Sequence, residues 1–166
     1  MRVLAIDPGP QQSGLCMINS KTYSPIHAEK ISNEEVLDLL PSPDTLVVIE
    51  MVGHYGTGMP AGKEVFDTCV WIGRFLQHFT DCKLHVRQMM RRDVKLNLCG
   101  SARAKDGNVI QALVDRFASG QPNYGKGTKK APGWFYGFKA DVWQAYALGV
   151  TYIDKQGEST CITSSF

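Results

Sequence analysis

Two acidic residues follow short apolar runs, at positions where a carboxylate could act on a ligand. Asp7 comes directly after the run 3–6, and Glu50 comes directly after the β-branched run 45–49. Both runs are too short for helices and are typical of buried strands. If the two strands are adjacent and parallel, both acids lie at the sheet edge where open α/β sheets bind ligands. The alternative for Asp7 is an ordinary turn former before Pro8.

A third acid, Asp141, falls within the segment 138–152, whose composition predicts a largely apolar helix. Helical spacing places Asp141 on one stripe with Gln144, Ala145 and Leu148. An acid near a helix start also favours the helix dipole. That role does not explain why the acid shares a stripe with apolar residues, so Asp141 is a third candidate for the same site.

Three carboxylates gathered without a counter-charge repel one another, and their pKa values rise. A divalent cation would relieve this repulsion. Because no Cys or His stands at ligand spacing, the hard oxygen ligands favour Mg²⁺ or Mn²⁺. Two such ions about 3.5–4 Å apart can activate a water and stabilise the leaving oxygen of a phosphodiester. Asp7, on the central strand, would bridge the two ions, and this chemistry indicates a metal-dependent nuclease.

Basic residues are segregated along the chain, although the formal net charge is only +2. Such clustering is typical of proteins that bind a phosphate backbone, while any one segment alone also fits a solvated surface. The candidate DNA-binding residues are Arg91, Arg92, Lys95, Arg103, Lys105, Lys126, Lys129 and Lys130. Tyr55 and Met59, in the glycine-rich segment 52–62, are candidates for stacking on a base or wedging between bases, or for packing back on the domain.

The remaining pattern predicts one α/β domain that spans all 166 residues. We expect strands at 3–6, 13–19, 25–31, 45–49 and 84–86. We expect a short helix from about 33 and further helices at 63–80, 93–98, 105–117 and 138–152. A Gly/Pro/Lys loop is expected at 120–137, and a loose C-terminal tail at about 154–166.

Composition argues against several other classes of protein. The five cysteines form no CxxC pair, which favours reduced thiols in a cytoplasmic protein over a zinc site or disulfides. No apolar run reaches membrane-spanning length, so no membrane partner is expected. The sequence starts directly with a strand, so no signal peptide is visible.

Four motifs together resemble the RuvC family of Holliday-junction resolvases. Ala5-Ile6-Asp7-Pro8-Gly9 with Gly14 is similar to that family's first strand, and Val47-Val48-Ile49-Glu50 to its second acidic strand. Asp93-Val94-Lys95, Gly100 and Lys105 resemble its basic segment. Asp141-x-x-Gln144-Ala145-x-Ala147 resembles its final acidic helix. The motifs follow in the family's order across nearly the whole chain.

The resemblance implies a ribonuclease H-like fold, with a mixed five-stranded sheet and helices on both faces. It also implies a homodimer that makes paired symmetric nicks in four-way junctions and related branched DNA during recombination and repair. Two Mg²⁺ ions per active site are implied, with Mn²⁺ able to substitute. Asp7, Glu50 and Asp141 would be metal ligands and catalytic residues. Lys95 and Lys105, or Arg103, would contact DNA near the scissile phosphate, with Lys105 as a catalytic candidate.

Gln144 departs from the family pattern, which usually has an acid at this place. A neutral amide is a weaker metal ligand, or acts through a water. The departure leaves open a catalytically silent junction-binding protein, and a nuclease acting on RNA–DNA hybrids is a further alternative. The turn Asp7-x-Gly9 also resembles the phosphate-binding turn of sugar-kinase or actin-like ATPases, but those need two such domains.

The short chain would suit a phage-type family member, in the cytoplasm of a bacterium or of a phage-infected cell. Tyr55 and its loop would stand where the family opens the junction centre. The helix that contains residues 65–75 is the candidate dimer interface, because paired nicks in a two-fold symmetric junction need two related sites.

Overall fold

A five-stranded mixed sheet lies at the centre of the computed structural model, which describes residues 1–53 and 61–163 and their side chains as far as residue 157. The strands lie in the order β3-β2-β1-β4-β5. β1 pairs antiparallel with β2 and parallel with β4. Their bounds are β1 Arg2–Asp7, β2 Gln12–Asn19, β3 Pro25–Ser32, β4 Thr45–Met51 and β5 His85–Met90.

Helices cover both faces of the sheet, as the sequence predicts. One face carries α1 (Asn33–Leu37) and α2 (Lys63–Asp81). The other carries α3 (Arg91–Cys99), α4 (Asp106–Phe117) and α5 (Ala140–Thr163). Ser32 caps α1 in a reciprocal hydrogen-bonded box with Glu35, and Gly100, in the left-handed conformation, ends α3. Within the described residues, no helix combines the length and the apolarity of a membrane span.

The central strand β1 is buried on both faces, which explains its continuous apolar sequence. Val3 and Ala5 pack in the core under α5, while Leu4 and Ile6 pack in the core under α2. Successive side chains of a strand point to opposite faces. Asp7 therefore points to the α5 face of the sheet.

The structure corrects the predicted bounds of three elements. β5 extends to Met90 instead of ending at residue 86. It is an edge strand with polar, exposed residues, so its sequence lacks the apolar run that predicts a buried strand. α3 consequently starts at Arg91. The prediction of a loose tail from Asp154 was wrong, because α5 continues to Thr163. The predicted loop 120–137 contains a 3-10 turn at Asn123–Gly125 and a bridge between Gly127 and Pro132.

Asp154 explains why α5 does not end where the polar sequence begins. Its carboxylate accepts two hydrogen bonds from the Arg116 guanidinium, at 2.8 and 2.9 Å. It also accepts one from the Tyr23 hydroxyl at 2.9 Å and one from the Asn97 amide at 2.8 Å. Burial raises the pKa of Asp154, but these hydrogen bonds outweigh burial and lower it overall. The carboxylate thus joins the β2–β3 turn, α3 and α4 to α5.

Replacing Asp154→Asn should lower the free energy of unfolding at pH 7 by about 1–3 kcal/mol, because the amide has one acceptor oxygen in place of two and no negative charge. Since the pKa of Asp154 is lowered by folding, its stabilisation is present above the unfolded pKa, about 3.9. The stabilisation is lost as pH falls through the lower folded value. Urea unfolding at pH 7 and pH 3 should therefore show a gap between wild type and variant that narrows in acid.

Asp115→Asn is the matched control, since Asp115 is exposed on α4 and receives a hydrogen bond from Gln111 alone among the described residues. Equal destabilisation by the two substitutions would contradict the anchoring role of Asp154.

Candidate active site

The sheet places Asp7 and Glu50 at one edge. β1 and β4 are parallel neighbours, and Ile6 is in register with Ile49, so the next residue of each strand is the acid. Val48 packs in the α5-side core, and strand alternation puts Glu50 on that same face. The two strands are therefore adjacent and parallel, which is the condition under which Asp7 and Glu50 come together.

Asp141 reaches the same edge because Gly14 lets α5 approach the sheet. Gly14 pairs with Asp7 across β1 and β2. A Cβ at Gly14 would lie 2.5 Å from the Asp141 carbonyl oxygen and 2.9 Å from the Asp141 Cβ. Further along α5, a Cβ at Gly149 would lie 3.1 Å from the Ala5 Cβ. Two glycines therefore set how closely the helix that carries the third acid lies against the sheet.

An open cavity of about 450 Å³ lies at this edge. Asp7 and Asp141 both line it, and so do two charged residues that the sequence analysis did not identify, Lys30 and Glu64. Lys30 is in register with Gly14 on the β2–β3 pair, so Asp7, Gly14 and Lys30 form one row across three strands. The pairing of β3 with β2 is the signal that identifies Lys30, and single-sequence patterns do not give that register.

The two strand-end acids are electrostatically strained. Burial raises the pKa of Asp7 to about 8, and repulsion from Glu50 adds to this rise while Arg91 opposes it. Burial also raises the pKa of Glu50, despite the opposing effect of Arg91. Both carboxylates therefore lie where an additional positive charge would be strongly stabilising.

Two of the three acids, Glu50 and Asp141, form ion pairs with basic side chains. Arg91 Nη1 donates to both carboxylate oxygens of Glu50, at 3.1 and 3.3 Å, and its Nη2 lies 2.8 Å from Asp106. Lys30 forms an ion pair with Asp141. Among the described residues, no hydrogen bond or ion pair involves the Asp7 carboxylate.

Asp7 and Asp141 line the cavity and Glu50 lies next to Asp7, but the three acids do not form a metal cluster among the described residues. In the described part of the chain, no three Asp, Glu, His or Cys side chains are close enough together to hold an ion. Gln144, the fourth predicted ligand, lies one turn after Asp141 on α5 and is 8% exposed. Its Oε1 has no hydrogen-bond partner among the described residues. The donor set, three carboxylates and an orphaned amide oxygen, matches the hard ligands of a divalent cation.

The predicted DNA-binding residues divide into two groups. Arg91 lies in the site, and Lys95 Nζ, 3.9 Å from Asp106, lies beside it. Lys105 directly precedes α4, with its backbone N–H bonded to the Asn108 side chain at 2.8 Å. Its side chain is exposed and makes no described contact with the three acids. The surface positions are Arg92, Arg103, Lys129 and Lys130, with Lys126 half-buried. Tyr55 and Met59 lie outside the described residues.

The sheet order, the helices on both faces and the acids at the end of the central strands define a ribonuclease H-like fold, as the sequence predicts. Two solved structures confirm the resemblance to RuvC at the level of the fold. A Thermus thermophilus RuvC structure gives a TM-score of 0.65 at 19% identity, covering 95% of this chain and 97% of that one. T. thermophilus RuvC in complex with Holliday junction substrate gives 0.68 at 20% identity, covering 96% and 97%.

No family model matches the chain, and no curated protein matches it by sequence. At this identity the structural likeness establishes the fold.

Gly14→Ala should displace the start of α5, because the new methyl group would meet the backbone of Asp141 and not a flexible side-chain end. We expect the free energy of unfolding to fall by about 1–3 kcal/mol, measured by urea titration. Gly73→Ala is the matched control, since a Cβ there meets nothing within 4 Å. On a helix it should add about 0.5–1 kcal/mol of stability. Similar effects from both substitutions would show that α5 does not depend on Gly14.

Proposed function

We propose that the chain is a divalent-cation-dependent endonuclease that nicks four-way junctions and related branched DNA. One observation carries the proposal. The half-buried Asp7 carboxylate lies at the end of the central strand, next to Glu50, and shares an open cavity with Asp141. The fold supports the choice of substrate, because a protein with this fold is solved on a Holliday junction.

The residues of the site fit Mg²⁺ or Mn²⁺, two per active site. Asp7, Glu50, Asp141 and Gln144 would hold the ions through oxygen atoms, and the raised pKa values of Asp7 and Glu50 would fall in their presence. Bound ions of this kind activate water and stabilise the leaving oxygen of a phosphodiester. Gln144 contributes no charge, so its oxygen is the weakest of the four ligands.

The helix α3 supplies positive charge beside Glu50. Arg91, Arg92 and Lys95 lie in its first turns, and Lys105 stands just before α4, beside the Asp106 that Arg91 and Lys95 contact. Backbone phosphates bound along this surface would lie next to the cavity. The loop lysines Lys126, Lys129 and Lys130 and the side chain of Arg103 would extend the contact with DNA.

Asp7→Asn, Glu50→Gln and Asp141→Asn should each reduce nicking at least about 100-fold, since each removes one charged ligand, and should leave junction binding intact. The assay is a labelled mobile four-way junction in Mg²⁺ and in Mn²⁺, with both strands mapped and binding measured separately. Glu34→Gln, an exposed acid on α1, is the control. Wild-type nicking in any one of the three variants would remove that residue from the ligand set.

The same assay separates the rival functions. A junction-binding protein without catalysis would bind tightly in wild type and in Asp7→Asn, with no nicking in either metal. Preferential cleavage of an RNA–DNA hybrid offered beside the junction would favour the hybrid nuclease. The orphaned oxygen of Gln144 favours a ligand-binding role for this position over a lost site.

The outer face of α2 supports the proposed homodimer. Phe66 and Val70, one turn apart, are 61% and 63% exposed, and Cys69 between them is also exposed. Two exposed apolar side chains on one helical face are suited to an isologous contact between two copies.

Phe66→Glu and Val70→Lys should each convert the dimer to a monomer, because a charge would be buried at the contact. Sedimentation velocity of the free chain measures this. Ile26→Glu is the control, since Ile26 is 53% exposed on β3, away from α2. A wild-type chain that sediments as a monomer, both free and bound to DNA, would contradict the proposed dimer.

A further inference from the structure

Glu50 and Asp141, the two acids beside Asp7, each form an ion pair with a basic side chain. A cation that binds these acids would have to displace those side chains. We propose that Arg91 and Lys30 are the resident counter-ions of the carboxylate site. Both compete with the divalent cation, Arg91 for Glu50 and Lys30 for Asp141, and both transfer to DNA phosphates once the cation is bound. The inference rests on the proposed metal site and assigns a role to Lys30, a residue outside the predicted DNA-binding set.

Arg91 is placed to release Glu50 without leaving the site. Its Nη1 uses both oxygens of Glu50, at 3.1 and 3.3 Å, so the guanidinium occupies the face of the carboxylate that a cation would use. Its Nη2 is held separately by Asp106 at 2.8 Å. Asp106 is on α4 and 58% exposed. When Glu50 is taken by a metal, Asp106 still holds the guanidinium at the rim, where a phosphate can reach it.

Lys30 holds the equivalent place on the opposite side of Asp7. The row Asp7, Gly14 and Lys30 crosses three strands, and the start of α5 lies over its glycine. Lys30 therefore lies close enough to pair with Asp141, and Asp7, Lys30 and Asp141 all line the same cavity. Its side chain is 43% exposed and that of Asp141 is 38% exposed. An ion pair this exposed is weak and exchanges its partners readily.

The charge balance gives the exchange its direction. Of the three proposed acidic ligands, Glu50 and Asp141 are paired with Arg91 and Lys30, and Asp7 is the one that lacks a partner among the described residues. Two further acids lie nearby, Asp106 on Arg91 and Glu64 on the cavity wall. A dication that binds at Asp7 repels both basic side chains and competes for the oxygens they use. Arg91 keeps Asp106 as a partner and Glu64 lines the cavity beside Lys30, and the phosphates of the substrate are the further anions that DNA binding supplies. Metal binding thus prepares the site to bind DNA with two more positive contacts.

The first test uses Mn²⁺ alone, titrated calorimetrically into the DNA-free chain. Lys30→Gln and Arg91→Gln should each tighten Mn²⁺ binding by about 3- to 10-fold, because each removes a nearby like charge and a competitor. Lys21→Gln is the matched control, an exposed lysine in the β2–β3 turn at the other end of the same strands. Lys30 is also exposed, so its variant tests the proposal even if Arg91→Gln does not fold.

The second test measures junction binding against salt concentration, in EDTA and in Ca²⁺. In Ca²⁺, Lys30→Gln should reduce the slope of log affinity against log salt by about 1, the loss of one phosphate contact. In EDTA, where Asp141 holds Lys30, the slope should equal that of wild type.

The failures of the two proposals are distinguishable. If wild-type chain binds no Mn²⁺, the proposed metal site fails. If wild type binds Mn²⁺ and both variants bind it equally or more weakly, the counter-ions position the acids instead of competing, and the exchange is overturned. An unchanged salt slope for Lys30→Gln in Ca²⁺ overturns the transfer to DNA.

Discussion

The close contact between α5 and the sheet is the constraint on which the site depends. Asp7 and Glu50 are neighbours because β1 and β4 are parallel and in register, and that pairing holds without α5. Asp141 joins them solely because its backbone can lie directly over Gly14. If α5 lay farther from the sheet by the thickness of one methyl group, the fold would persist but Asp141 would move away from Asp7. The close packing at a glycine therefore determines where the third carboxylate lies.

Electrostatics then decide what the assembled edge can do. Burial penalises the ionised forms of Asp7 and Glu50, so the fold stores an unfavourable interaction at its most central strand end. Arg91 and Lys30 relieve part of it, at Glu50 and Asp141. Such stored strain is typical of functional sites. The site consequently favours the binding of cations. It lies between the basic helix α3 and an open cavity, where the phosphates of a polyanion could bind.

The sequence predicted those parts of the site that depend on local pattern. Asp7 and Glu50 follow apolar runs whose strand character comes from burial on both faces, and Asp141 interrupts an apolar helical stripe. The rest of the site depends on pairing between distant segments. Lys30, which no local pattern identified, enters the site through the register of β3 on β2. Arg91 was predicted to bind DNA, and its contact with Glu50 arises because β5, an exposed edge strand, ends at the residue before it. The full length of α5 escaped prediction because its second half is held by the polar anchor at Asp154.

Because α5 is fixed at Asp154, a small change in its tilt there moves its first turn by a much larger distance. Asp154 fixes the helix to three other elements, and Asp141 lies on the same rigid rod, roughly 20 Å nearer its start at about 1.5 Å per residue. A tilt of only about 3° at Asp154 would move the Asp141 end by about 1 Å, and a displacement of that size at an active site costs an enzyme about two orders of magnitude in rate. The side chains that hold Asp154 therefore influence the position of Asp141 without contacting the cavity.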